Sequence, residues 1–182
     1  MVNACYSGGI NVLGPLVSKR HLGGALAWAA IVAASSVGML IGALVIMRLR
    51  PRYPMRVATF ATFAYAAPLF LLAWPAPVWL IVVVAVGVGI CSDIFGVLWD
   101  TGLQTLIPQE ALSRVSSYDA LGSFALGPLG LAIVGPLSSA IGVRETLIGA
   151  GIIVVLCCAG ALLSPEVRTL QLDKSATQPP VP

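Results

Sequence analysis

Charge is what this chain has least of. Ten lysines and arginines and seven aspartates and glutamates make up 9% of its 182 residues, where a soluble domain typically carries about a quarter. Apolar residues reach 58%, and the mean hydropathy is +0.97. A core of this size cannot hide that much apolar surface from water, so the expected solvent is lipid rather than buffer. The net charge of +3 comes mainly from arginines grouped in one loop. It is a topology signal, and no nucleic-acid partner is implied.

Reactive chemistry is equally sparse. His21 is the single histidine, and one imidazole beside Lys19 and Arg20 does not make a metal site. Cys5, Cys91, Cys157 and Cys158 contain no C-x-x-C and fall inside apolar runs, so free thiols in apolar surroundings are expected. Neither a phosphate-binding glycine loop nor a nucleophile elbow is present, which argues against an ATP-driven pump and a membrane hydrolase. The chain reads as a non-enzyme without metal or cofactor.

What the chain does have is apolar length. Runs at 3–17, 24–47, 57–74, 78–101, 120–141 and 144–163 compare with the roughly 20 residues a helix needs to cross a core of about 30 Å. They are separated by MRLRPRYPMR, WPAPVW, the polar LIPQEALSRVSSYD and Gly142. Transmembrane β-strands would instead alternate in short segments. The expected fold is all-α: a polytopic transmembrane helical bundle over residues 1–167, with five full spans and one truncated N-terminal span. The proline-rich 168–182 reads as a disordered cytoplasmic tail. Arg48, Arg50, Arg52, Arg56, Arg114, Arg168 and Lys174 would share one side, and Lys19, Arg20 and Arg144 the other. The positive-inside bias then puts the C-terminus in the cytoplasm of a plasma-membrane protein. Trp74 and Trp79 would mark the outer boundary and Trp99 the inner one.

The first run is short and carries Gly8, Gly9, Gly14 and Pro15. It reads as a chain starting inside a helix. Asn3, Ser7 and Asn11 recur at spacing four, on one helix face. That face is either cavity-lining or helix-to-helix glue.

Asp93 and Asp100 are two acids in an apolar run. Seven residues apart, they lie within about 20° of one face, with Gly89, Gly96 and Gln104 on the same stripe. About 10 Å separates them along the axis, so they cannot share a proton as a close dyad does. Asp93 would sit near mid-bilayer, where an ionised carboxylate costs at least about 2.5 kcal/mol. It is either a proton or substrate site, or a buried acid holding two helices together. Asp100 would reach the headgroup level and pair with Arg114 or another loop group, a structural role. Ser116 and Asp119 fit an S-x-x-D capping box opening the fifth run. Gly127-Pro128 and Gly135-Pro136 would kink that helix while small faces admit a neighbour. Gly38 and Gly42 make a small-xxx-small packing pair.

The run WDTGLQTLIPQEALSRVSSYDALGSFALGPLG resembles the connection between the tenth and eleventh helices of major facilitator superfamily transporters. The branch it is similar to holds enterobactin-exporter-like proteins labelled transmembrane secretion effectors. The matching positions are Trp99, Thr101, Gln104, Pro108, Leu112, Arg114, Val115, Ser123, Pro128 and Gly130. GPLVSKRHLGGALAW resembles that branch's turn between helices seven and eight. The resemblance implies the second half of a twelve-helix fold and proton-coupled export of a small molecule by alternating access. Partners would be the bilayer, the substrate and an N-terminal six-helix half or a second copy; the alternative is a non-transporting membrane fragment. It also puts Asp93 on a cavity-lining helix. Asn3, Ser7 and Asn11 would then lie with Asp93 along the substrate or ion pathway, and Asp100, Gln104 and Arg114 would be cytoplasmic-gate or structural residues. The superfamily's loop signature G-x-L-x-D-R-x-G-R-R is only partly met after Gly42 and Leu44: Ile46 replaces its acid and Leu49 its second glycine.

Overall fold

A computed structural model describes residues 1–48, 51, 54–74 and 76–163, and no strand occurs among them. Leu49, Arg50 and Arg52 of the basic loop lie outside these described residues, as does the 168–182 tail with Arg168 and Lys174. Five stretches are helical, long and apolar enough to cross a membrane: Ala25–Arg48, Pro54–Ala73, Val78–Thr105, Glu110–Ile141 and Val143–Leu163.

Helical conformation in the first run extends past Val17 to residue 22, through α1 (Val2–Gly8), a π-turn at Gly9–Leu13, α2 (Gly14–Val17) and a second π-turn at Ser18–Leu22. Pro15 has no N–H to give the Asn11 carbonyl four residues back, and its ring crowds that carbonyl. The turn carrying Asn11 is accordingly widened. Gly23 ends the rod at φ 95°, a left-handed conformation that costs glycine nothing.

α3 (Ala25–Arg48) is followed by α4 (Pro54–Phe63) and α5 (Ala66–Ala73), two halves of one span. Pro68 explains the break, because the carbonyl four residues before it belongs to Ala64. The backbone tightens there to three-residue bonds, with Ala64 N–H donating to Ala61 O at 3.1 Å, Tyr65 to Thr62 at 3.2 Å and Ala67 to Ala64 at 3.2 Å.

α6 (Val78–Leu106) and α7 (Gln109–Ile141) take up nearly all of the polar stretch expected to be a loop. The break shrinks to Ile107 and Pro108, both extended, because a proline disfavours helical geometry in its predecessor. This corrects the capping box: Ser116 and Asp119 lie two turns inside α7, whose N-cap is Pro108. Helix assignment also runs unbroken across Gly127-Pro128 and Gly135-Pro136. α8 (Val143–Leu163) is the last of the described elements.

α3 packs along α6, which also meets α4; α1 packs on α7 and α8, and α5 backs onto α8. In lipid such contacts depend on close van der Waals approach, which small residues allow. Gly38 abuts the Val86 carbonyl, Gly89 the Ser35 carbonyl, and a Cβ on Gly42 would sit 2.7 Å from the Ile90 carbonyl. Between α1 and α7 the close approach is made by Gly130, against Ala4, and by Gly8 of α1, against Gly130 and Val134. Gly127 and Gly135 face open space, contrary to expectation. Leu13, Leu69, Ile81, Leu147 and Val154 form the most enclosed part of the core.

Candidate functional site

Because α1 leans on α7 and α8 while α6 leans on α3 and α4, a cleft opens between α1 and α6. Two cavities occupy it. One, of about 360 Å³, lies toward the Met1 end and is lined by Asn3, Ser7, Thr62, Tyr65 and Phe95. The other, of about 290 Å³, lies toward the Gly23 turn and is lined by Ile10, Asn11, Trp28, Ser35 and Pro68. Tyr6 and Ser92 border both. Among the described residues no acidic or basic side chain lines either cavity.

Two pairs of polar side chains in the cleft are tied together. The Ser7 hydroxyl donates to Asn3 Oδ1 at 3.0 Å. The Tyr65 hydroxyl donates to Ser92 Oγ at 2.8 Å, linking the α4–α5 break to α6. The Tyr6 and Tyr65 rings meet edge to face, 4.6 Å between centroids. Uncharged hydroxyls and amides among aromatic faces suit a small organic molecule with an apolar body and offer an anion no counter-charge.

The residues singled out from sequence fall in different places. Asn3 and Ser7 line the first cavity and Asn11 the second. Asp93 follows Ser92 but is about 100° further round the helix, where its Cβ would meet a Cβ on Gly42 of α3. Its Oδ2 is buried and has no hydrogen-bond partner. It lines neither cavity.

Asp100, Gln104 and Arg114 are exposed. Among the described residues no ion pair joins Asp100 to Arg114, which leaves the other expected partner, another loop group. The link between α6 and α7 is instead made by the Trp99 indole N–H, which donates to Asp119 Oδ2 at 3.1 Å while the ring stacks on Phe95. At the far end the Arg144 guanidinium lies 4.1 Å over the Trp74 ring, beside His21. Cys158 is buried, Cys5, Cys91 and Cys157 are half-buried, and all four are free. Among the described residues no cluster of three or more His, Cys, Asp or Glu could hold a metal.

Sequence reasoning missed Tyr6, Tyr65, Ser92 and Phe95. Tyr6 was within reach, three residues from Asn3 on the same face. Tyr65 was not, because its direction depends on the break that Pro68 imposes.

Residues 1–182 match the family model described as Major Facilitator Superfamily. The multidrug efflux pump Tap of Mycolicibacterium fortuitum is 31% identical over 149 residues, covering 81% of this chain and 36% of that protein. Tap proteins of Mycobacterium bovis (strain BCG / Pasteur 1173P2) and Mycobacterium tuberculosis (strain ATCC 25618 / H37Rv) are each 30% identical over 152 residues, 83% of this chain. The match again spans 36% of their length. No solved structure matches the chain.

Proposed function

Because the chain belongs to the Major Facilitator Superfamily, a family of multi-pass membrane transporters rather than enzymes, we propose that it is the C-terminal six-helix bundle of a small-molecule exporter. The exporter lies in the plasma membrane, with the chain's C-terminus cytoplasmic. The observation that carries this reading is the cleft between α1 and α6, lined mostly by apolar surface with a few uncharged hydroxyls and amides among the described residues, on a molecule whose outer faces are apolar. The name of the Tap relatives supports drug-like cargo, and the Trp99-to-Gly130 motif supports the enterobactin-exporter-like branch. In alternating access the two halves rock about a midplane site, and an ion that binds one state better shifts the balance between them.

Asp93 is the proton carrier in this proposal. A charged carboxylate on half-buried Asp93, whose Oδ2 is buried without a hydrogen-bond partner among the described residues, is costly. Proton loading therefore favours the arrangement in which α3 closes on α6, and release favours its opening. The test is Asp93→Asn in the intact transporter, reconstituted in vesicles with an imposed pH gradient and ethidium as cargo. Wild type exports ethidium down the gradient's driving force and the variant does not; a variant that still responds fully to the gradient rules Asp93 out.

The span of 36% of the relatives' length favours a second reading, a half that is silent until a partner half joins it. Pseudo-equivalent halves also permit a homodimer. Purified alone in liposomes, a homodimer moves ethidium. A half that needs its complement moves it only after co-reconstitution, and a non-transporting fragment in neither case.

A further inference from the structure

Tyr6 comes from α1 and Ser92 from α6, the opposite walls of the cleft, yet both border both cavities. Tyr65, projecting from the α4–α5 break, joins them: its hydroxyl bonds Ser92 Oγ at 2.8 Å and its ring meets Tyr6 edge-on. The three side chains form a bar across the cleft. On the Met1 side of the bar lie Asn3, Ser7 and Phe95; on the Gly23 side lie Asn11, Trp28 and Ser35. The two cavities are therefore stacked along the helix axes, in the direction a cargo would travel.

The bar is not equally firm along its length. Tyr65 is held by a hydrogen bond to Ser92. Among the described residues no hydrogen bond holds the Tyr6 side chain, whose ring has the edge contact with Tyr65. An edge contact of this kind is readily broken and remade.

From this arrangement we infer that Tyr6 is a gate between two chambers of one pathway, latched by Tyr65 and Ser92, and sets the bulk of molecule that the cleft accepts. The inference rests on the transport reading for its purpose. The occupant is an organic molecule with an apolar body that is neutral or carries dispersed positive charge, since ring faces and hydroxyl oxygens accept a cation and the described residues of neither wall offer an anion a counter-charge.

The test is equilibrium dialysis of the full chain in detergent against two probes, the compact phenyltrimethylammonium and the bulky tetraphenylphosphonium. Circular dichroism confirms that each variant is helical. Tyr6→Ala removes one ring face from the small probe and merges the chambers for the large one. It is expected to shift the affinity ratio toward tetraphenylphosphonium by about tenfold. Tyr118→Ala, exposed on α7, leaves the ratio unchanged. If Tyr6→Ala does not fold, Tyr65→Phe, which loses the bond to Ser92, shifts the ratio the same way by about threefold. A helical Tyr6→Ala with the wild-type ratio overturns the gate, as does an unmoved ratio in Tyr65→Phe or failure of every variant to bind either probe. Binding requires no transport, so the two readings fail separately. A shifted ratio in a protein that moves nothing, alone or co-reconstituted with a complementary half, refutes transport and keeps the gate; transport with an unshifted ratio does the reverse.

Discussion

At Asp93 two costs oppose each other. The buried, unpartnered Oδ2 destabilises the bundle whenever the carboxylate is charged, so a residue kept only for stability would be better replaced. Asp93→Asn is accordingly expected not to lower the thermal unfolding temperature in detergent, although it abolishes the response to a pH gradient. A clear drop in that temperature would make Asp93 a packing residue instead. Tyr65 differs because its polar group is satisfied. Tyr65→Phe should cost about 0.6 to 1.5 kcal/mol, the range for one hydrogen bond between helices. Ser92→Ala should cost the same, and the double variant little more than either, since both remove one bond. Additive losses in denaturant titration would contradict the bond.

The elements follow from proline and glycine placement more than from hydropathy. Gly87 and Gly89 sit two residues apart on α6, yet Gly87 faces open space and Gly89 the Ser35 carbonyl of α3. Gly87→Ala should stabilise the helix by up to about 1 kcal/mol, whereas Gly89→Ala should destabilise the bundle by about 1 to 3 kcal/mol through overpacking. Equal effects in thermal unfolding would refute the α3–α6 seam. This seam was half legible in the sequence: Gly38 and Gly42 announce a packing face, but nothing local names α6 as the partner. Four of the five longer apolar runs match their helices within a few residues, whereas the run at 120–141 begins well inside the helix Glu110–Ile141. They missed the helical continuation through LIPQEALSRVSSYD, because polar residues such as Gln109, Glu110, Ser113 and Arg114 mark the edge of the bilayer and do not end a helix. Asn3, Ser7 and Asn11 were legible as one polar face because helical periodicity is local. Tyr65 and Ser92 meet across 27 residues, a relation that no periodicity carries.

For the molecule as a whole, the exposed surface is where the physics is most unusual. Leu26 is 86% exposed, Leu163 78% and Met47 77%, and such exposure in water would drive aggregation. In hydrocarbon it costs nothing, and the polar groups are then the ones that must avoid lipid; Ser7 and Ser92 are half-buried in the cleft between α1 and α6, and Asn3 and Asn11 stand exposed on its walls. Water access should therefore follow the cleft and avoid the outer faces. The direct measurement uses the chain in liposomes with its four native cysteines replaced and single cysteines introduced at Ser7, Asn11, Ile152 or Leu156. Each is then challenged with a water-soluble maleimide. The account predicts fast labelling at Ser7→Cys and Asn11→Cys and protection at Ile152→Cys and Leu156→Cys, on the exposed apolar face of α8. Equal labelling at all four, or faster labelling on α8, would contradict it.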